Sequence, residues 1–238
     1  MLIADKTVLV TGANRGLGRA LVTEALNRGA RRVYAAARRP LAHPDERVTP
    51  LVLDVTSAAQ IREAAELAAS LDILVNNAGL ALYEALSDRD ALERQIAVNL
   101  LGTYDVTQAF LPSLIRAGGT IVNISSLAAW GAIPVLPGYS MTKAAAFSLS
   151  QVLRADLARH GVRVHTATLG PVDTEMVAAL DIPKSSPESV ASGVVDGVEK
   201  DEEDIFPDPF SQTIADGWRD GAVKALERQN AQFTAATP

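Results

Sequence analysis

The chain has 238 residues, of which 48% are hydrophobic and none is cysteine. This length and apolar content suffice for one α/β domain, and the lack of cysteine excludes disulfides and thiolate metal sites. The net charge of −6 argues against nucleic acid as a partner, because phosphate-binding surfaces need clustered Lys and Arg. Without a stretch of about 18 apolar residues or a leader-like N-terminus, we expect no membrane partner and a cytoplasmic location.

Short apolar runs alternate along the chain with longer Ala- and Leu-rich segments. Continuously apolar strands that are separated by helices are typical of a parallel sheet covered on both faces. Right-handed crossovers then predict a doubly wound, Rossmann-like sheet of about seven strands, with ligands at the carboxyl ends of the strands. The predicted strands are 7–10, 33–36, 48–53, 73–75, 120–124, 162–168 and 204–206, and the predicted helices are 19–28, 58–70, 89–117, 139–159, 188–199 and one within 211–232.

One domain over residues 1–238 is the expected organisation. A Pro- and Ser-containing connector at 175–187 is interpreted as a short lid over the substrate, and residues 204–232 as a C-terminal strand and helix. The acidic run 201–204 is interpreted as a solvated turn, since a cation site needs ligands from several directions. No metal site is predicted.

The segment from Thr11 to Gly18 reads TGANRGLG and follows the first apolar run. Glycines at 12, 16 and 18 allow a tight bend from strand to helix, and the helix N-terminus then offers free N–H groups to a phosphate. Alone, the motif also fits a purely structural turn. With the later motifs, it predicts a nucleotide site.

Tyr139 and Lys143 are four residues apart in a helical pattern, so their side chains share one face. A neighbouring ammonium lowers the pKa of a phenol, although such pairs also occur by chance. Ser126 lies just past a predicted strand, 13 residues before Tyr139, with Ser125 as a competing serine. The run Asn76 to Gly79 and the later Asn99 complete a fixed order of polar motifs at strand and helix ends.

This order of motifs resembles the short-chain dehydrogenase/reductase family over roughly residues 6 to 175. The resemblance implies a catalytic tetrad of Asn99, Ser126, Tyr139 and Lys143. Tyr139 would exchange a proton with the substrate, Ser126 would orient the carbonyl oxygen, Lys143 would bond the nicotinamide ribose, and Asn99 would hold a helix irregularity and a relay water. The expected cofactor contacts are Gly12, Asn14, Arg15, Gly16, Leu17, Gly18, Arg38, Asp54, Val55, Asn76, Ala78, Gly79, Tyr139, Lys143, Gly170, Val172 and Thr174. Leu169 replaces the family's usual proline, which leaves the rigidity of the lid's root in doubt.

The residues after the second predicted strand favour NADP(H). An NAD-binding domain commonly has an acidic residue about 20 positions beyond the glycine turn, whereas this chain has Ala37 and Arg38. Arg38 can form a two-pronged contact with a 2′-phosphate, and Arg15 can approach the same phosphate. By the resemblance, Asp54 would contact the adenine edge and does not restore NAD preference.

The expected function is hydride transfer between NADP(H) and a small ketone, aldehyde or secondary alcohol. The predicted lining is mainly apolar, which favours a neutral, hydrophobic substrate, and comprises 80–83, 127–130, Ile133, Leu136, Met176, Val177 and Leu180. A non-catalytic NADP(H) sensor is the alternative, and a sugar-nucleotide epimerase is disfavoured by the lack of a large C-terminal domain. Family members often pair through their two long middle helices, which predicts a homodimer or homotetramer. Substrate identity, direction and any carrier protein stay open.

Overall fold

The computed structural model describes residues 1–40, 42–178 and 181–236. Its strands, within that part of the chain, are β1 (Thr7–Thr11), β2 (Arg32–Ala37), β3 (Val48–Val52), β4 (Ile73–Asn76), β5 (Thr120–Ser126), β6 (Arg163–Leu169) and β7 (Asp204–Ile205). They pair in parallel in the order β3-β2-β1-β4-β5-β6-β7. The predicted doubly wound parallel sheet of seven strands is confirmed.

The helices are α1 (Gly16–Asn27), α2 (Ala58–Leu67), α3 (Arg89–Ile96), α4 (Gly102–Ala117), α5 (Pro137–Leu157), α6 (Pro187–Glu199), α7 (Pro209–Arg219) and α8 (Ala222–Asn230). A π-helical turn at Ala97–Leu101 joins α3 to α4. Short 3-10 turns occupy Leu127–Ala129, Ala158–His160, Glu175–Val177 and Ala231–Ala236. Among the described residues, no helix combines the length and apolar character needed to cross a membrane.

Alternate residues of the strands pack into two separate cores. Val8 and Val10 of β1 face α1 and α6, whereas Leu9 between them faces α2, α4 and α5. Phe110 of α4 is 1% exposed in the second core, where burying such a side chain contributes about 1.5–3 kcal/mol. Burial on both faces explains why the strands are continuously apolar rather than alternating.

The sequence-based boundaries differ from the structure by a few residues, except at the C-terminus. The prediction of one helix within 211–232 is wrong, because α7 ends at Arg219 and α8 begins at Ala222. A Cβ atom at Gly221 would lie 2.5 Å from the carbonyl oxygen of Gly217. The chain therefore makes a close turn there that a larger residue would disturb.

The strand order determines where the candidate site lies. Successive crossovers run outward from β1 to β3 on one side and from β4 to β7 on the other, so the order reverses between β1 and β4. A crevice opens at the carboxyl ends of the strands where the order reverses. The glycine turn after β1, the polar ends of β4 and β5 and the end of β6 all lie along this edge.

Candidate active site

The glycine turn has the backbone geometry that a close ligand approach requires. Gly12 and Gly16 have φ angles of +67° and +49°, which favour glycine. A Cβ atom at Gly18 would lie 2.2 Å from the carbonyl oxygen of Gly12. No side chain caps the first turn of α1 after Arg15, so its N–H groups face the turn as a ready anion site.

Hydrogen bonds between Thr11 of β1 and the residues that follow β4 hold this turn in place. The hydroxyl of Thr11 accepts from the backbone N–H groups of Asn77 and Ala78, both at 3.0 Å. The Asn77 side chain donates to the carbonyl oxygen of Thr11 at 2.8 Å. Asn77 thus supports the turn, a role that its position in the Asn76 to Gly79 run did not reveal.

The end of β2 presents cationic side chains and no carboxylate. Ala37 is buried, and Arg38 and Arg39 directly after it are exposed. Asp54 follows β3, and its pKa is lowered mainly by the N–H of Thr56 and in smaller part by the charge of Arg38. Arg38 therefore lies near Asp54 at the mouth of the crevice, whereas the side chain of Arg15 forms an ion pair with Glu175.

Asn99 lies in the π-helical turn between α3 and α4, as the family resemblance implied for a helix irregularity. Its amide is 2% exposed and binds the backbone of Leu80 twice: Oδ1 accepts from the N–H and Nδ2 donates to the carbonyl, both at 2.8 Å. Nδ2 also donates to Thr142 of α5 at 2.9 Å. Asn99 thus joins the segment after β4 to the helix that carries Tyr139 and Lys143.

Tyr139 and Ser126 meet at the carboxyl end of β5. Tyr139 is partly buried in the first turn of α5, and burial raises the pKa of its phenol while a hydrogen bond with the Ser126 side chain lowers it. The competing Ser125 is 5% exposed, and its hydroxyl is buried without a hydrogen-bond partner among the described residues. Of the two serines, Ser126 is the one beside Tyr139.

Lys143 is one turn further along α5 and 7% exposed. Its Nζ donates to the carbonyl oxygen of Ile124 at 2.8 Å and lies 5.7 Å from the centre of the Tyr139 ring. Burial lowers the pKa of Lys143 to about 8. For the Tyr139 phenol, burial outweighs the hydrogen bond with Ser126, so its pKa lies above the ordinary value; the lowering of this pKa by Lys143 stays a prediction.

The segment after β6 closes over the glycine turn. The N–H of Gly170 donates to Asp208 at 2.9 Å, and Val172 forms an isolated parallel bridge with Ser185. A Cβ atom at Gly16 would lie 3.1 Å from Cγ2 of Thr174. Residues 170–174 therefore lie against the start of α1, at the root of the predicted lid.

Some of the residues that were predicted to contact the cofactor use their side chains for contacts within the protein. Asn76 donates to Thr107 at 3.0 Å and to Asn123 at 2.9 Å inside the sheet's buried face, so only its backbone is available to a ligand. Val55 packs against Gly102, where a Cβ atom would lie 2.7 Å from Cγ2 of Val55. The remaining positions surround the glycine turn and the end of β4: Asn14 is partly buried, Leu17 is buried below the turn, and Gly79 is exposed.

The predicted substrate lining is divided between core and surface. Ala128 and Leu136 are buried, whereas Tyr83 and Met176 are exposed, and Leu180 lies outside the described residues. Trp130 stacks on Trp218 of α7 with ring centres 4.3 Å apart. Sequence reasoning missed Trp218 because nothing near it signals a site. In the described part of the chain, no cluster of three or more acidic or His side chains could hold a metal ion.

Comparisons with known proteins agree with this arrangement. The model of the short chain dehydrogenase family matches residues 6–184. An uncharacterized oxidoreductase from Staphylococcus aureus is 32% identical, covering 82% of this chain and 91% of the relative. Another from Staphylococcus saprophyticus is 33% identical, covering 75% of this chain and 83% of the relative.

Solved structures extend the similarity to almost the whole chain. A short-chain dehydrogenase from Burkholderia cenocepacia in complex with NADP is 35% identical with a TM-score of 0.86, covering 96% of this chain and 99% of that one. A gluconate 5-dehydrogenase from the same organism, in complex with NADP and tartrate, is 27% identical with a TM-score of 0.73, covering 81% and 87%. The fold, the order of the motifs and these matches lead to one conclusion: the chain belongs to the short-chain dehydrogenase family.

Proposed function

We propose that the chain is an NADP(H)-dependent oxidoreductase that interconverts a small, apolar ketone or aldehyde and its alcohol. The observation that carries this proposal is the convergence of Ser126, Tyr139 and Lys143 at the strand edge that also holds the glycine turn. The proposed catalytic residues are Asn99, Ser126, Tyr139 and Lys143. Residues 1–238 are proposed to act as one domain, with a lid at 175–187.

The residues at the crevice fit a dinucleotide with a 2′-phosphate. Positive φ angles at Gly12 and Gly16 and the uncapped start of α1 suit a pyrophosphate. Arg38 is exposed beside the crevice, and the buried Ala37 leaves no carboxylate for a ribose hydroxyl. The NADP in two similar solved structures supports the same choice of cofactor.

The proposed chemistry divides between the cofactor and the chain. Bound NADPH supplies the hydride to the carbonyl carbon. The Tyr139 hydroxyl donates its proton to the carbonyl oxygen, while the Ser126 hydroxyl holds that oxygen in place, and such acid–base help contributes about 10²–10⁴-fold. Lys143 lies close enough to stabilise the resulting phenolate, and in alcohol oxidation Tyr139 takes the proton back.

The side chains near the site support the proposal of an apolar substrate. Met176 is 37% exposed beside the lid's root, and Trp130 contributes an aromatic surface after β5. One similar solved structure is a gluconate 5-dehydrogenase. Polyhydroxy acids are therefore the polar substrates against which apolar ketones should be compared. An apolar wall favours ketones without charge, because charged groups are costly to bury without partners.

We also propose assembly into a homodimer or homotetramer through α4 and α5. Tyr104 of α4 and Met141 and Val152 of α5 are exposed at 44%, 44% and 61%, as is Leu101 at 50% in the π-helical turn directly before α4. Exposed apolar side chains of this size favour a partner surface. Val152→Asp is expected to lower the mass measured by light scattering, while Val223→Asp on α8 is the matched control. The cytoplasmic location stays a prediction.

The decisive experiment measures NADPH oxidation against a panel of apolar ketones, aldehydes and keto acids. Tyr139→Phe is expected to bind NADPH normally and lose at least 100-fold in kcat, whereas Tyr104→Phe, which changes an exposed tyrosine, is the control. Turnover by Tyr139→Phe at the wild-type rate would refute the assignment. NADPH binding without turnover on any substrate would favour the alternative of a sensor.

A further inference from the structure

The helix that carries Tyr139 is capped by a residue far away in the sequence. Leu136 precedes α5 and provides no side-chain cap, and Pro137 has no N–H group. The first free amide of the helix, that of Gly138, donates to Oε1 of Glu84 at 2.9 Å. Glu84 lies 54 residues earlier, in the segment that follows β4.

Gln95 of α3 fixes the Glu84 carboxylate. Gln95 is completely buried; its Nε2 donates to Oε1 of Glu84 at 3.0 Å, and its Oε1 accepts from the N–H of Leu82 at 3.1 Å. The fit is close, since a Cβ atom at Gly138 would lie 2.5 Å from Nε2 of Gln95 and 2.7 Å from Oε1 of Glu84. Glycine at position 138 thus lets both side chains reach the helix start.

Stability alone does not account for this arrangement. The second carboxylate oxygen, Oε2 of Glu84, is buried without a hydrogen-bond partner among the described residues, and a buried acceptor without a donor lowers stability. The same segment binds Asn99 through Leu80. Residues 80–84 therefore connect the π-helical turn to the first turn of α5, on either side of the site.

We propose that Glu84, supported by Gln95, is a positioning residue that sets where the Tyr139 hydroxyl lies relative to Ser126. Gly138 directly precedes Tyr139, so a shift of the first turn of α5 displaces the phenol. A displacement of about 1 Å at a reacting group can cost about 100-fold in rate. This inference rests on the proposed function, in which Tyr139 is the proton donor.

The test compares Glu84→Ala, which removes the acceptor, with Glu84→Gln, which keeps an acceptor oxygen and loses the charge. Glu93→Ala is the matched control, because Glu93 lies on α3 with its side chain 56% exposed and bonds Arg89. We expect Glu84→Ala to lose at least about tenfold in kcat with NADPH affinity within about twofold of wild type. Glu84→Gln should retain kcat within about threefold, since it still accepts from Gly138.

Amide hydrogen exchange over 138–140 provides a readout that does not need turnover. Exchange there should be faster in Glu84→Ala than in Glu84→Gln, with the core strands unchanged. Equal kcat in wild type and Glu84→Ala, or equal losses in both Glu84 variants, would overturn the proposal. If Glu84→Ala does not fold, Gln95→Leu takes its place with the same criteria. An inactive wild type would refute the proposed function. In that case the capping role can still be tested, because equal amide exchange over 138–140 in wild type and Glu84→Ala would overturn it.

Discussion

Replacing Lys143 by Met is expected to stabilise the fold at neutral pH. Burial lowers the pKa of Lys143 from 10.5 to about 8, and a difference of about 2.5 pKa units corresponds to about 3 kcal/mol against the charged form in the folded state. Losing the hydrogen bond to the carbonyl oxygen of Ile124 offsets about 1 kcal/mol of this gain. We therefore expect a net increase of about 2 kcal/mol in the free energy of unfolding at pH 7.

The sign of the pH dependence follows from proton binding. Below about pH 8 the Lys143 ammonium is charged in both folded and unfolded chains, so the full penalty is present. Between about pH 8 and 10.5 the unfolded chain binds more protons than the folded one, so the wild type gains stability relative to Lys143→Met. The advantage of the variant should thus shrink as the pH rises.

Urea unfolding at pH 7 and near pH 10, followed by tryptophan fluorescence, measures this difference. Lys200→Met, at an exposed position, is the control and should change the unfolding free energy by less than about 0.5 kcal/mol. Lys143→Met should also lose activity, as expected where a buried charge serves function at the expense of stability. A variant that is less stable than wild type by the same amount at both pH values would refute the reasoning.

Four further predictions concern the cofactor and the lid. Arg38→Ala should weaken NADPH binding by about 10–150-fold and leave NADH binding unchanged, because a charge-assisted phosphate contact is worth about 1.5–3 kcal/mol; titration of both cofactors measures it, and equal losses would contradict it. Gly18→Ala should weaken the binding of both NADPH and NADH, since its Cβ atom would lie 2.2 Å from the Gly12 carbonyl oxygen. Gly217→Ala is the control, because a Cβ atom there would meet nothing within 4 Å. Met176→Ala should raise KM more for bulky apolar ketones than for small ones, because each lost apolar contact is worth about 1–3 kcal/mol. Equal changes in KM for both kinds of ketone would show that Met176 does not determine substrate selectivity. Slower amide exchange over 175–187 with NADPH and an inhibitor would support closure of the lid.

The fold could be predicted because its signal is local and repeated. Strands buried on both faces must be continuously apolar, as in the run from Ile73 to Val75, and long helical segments must separate parallel neighbours. The position of the site also follows from topology, since carboxyl ends of adjacent strands meet at one edge. Topology alone leaves Ser125 and Ser126 as alternatives, and the pairing of Ser126 with Tyr139, 13 positions later, comes from the family resemblance.

What the sequence does not reveal depends on contacts between distant segments. Glu84 and Gln95 stand in no motif, and only the folded chain brings Gln95 of α3 and Glu84 of the segment after β4 together at Gly138. The pKa of Tyr139 depends on how far burial of the phenol outweighs its hydrogen bond with Ser126, which spacing along a helix cannot determine. The break before α8 arises from a close approach of Gly221 to Gly217, and it interrupts a segment whose residues otherwise favour one helix.

The family match does not cover the part of the chain beyond residue 184. This part is attached to the C-terminal end of α5, whereas Glu84 contacts the N-terminal end of that helix. Arg154 of α5 pairs with Asp204 at 2.9 Å and with Glu227 of α8. Lys224, whose side chain is 3% exposed, pairs with the same two carboxylates at 2.7 and 3.0 Å. Buried pairs of this kind add little net stability, but they define geometry, because separating one partner leaves a buried charge.

This attachment reaches the segment that follows β5. Trp218 donates to Asp204 at 2.8 Å, and its ring stacks on Trp130, four residues after Ser126. The C-terminal helices therefore contribute to the wall beside the proposed catalytic residues, while Glu84 fixes the other end of α5. Shared motifs determine the position of the proton donor and the cofactor turn, whereas the wall is built from segments outside those motifs. Because these contacts lie outside the motifs, the proposed chemistry of this chain is easier to predict than the molecule on which it acts.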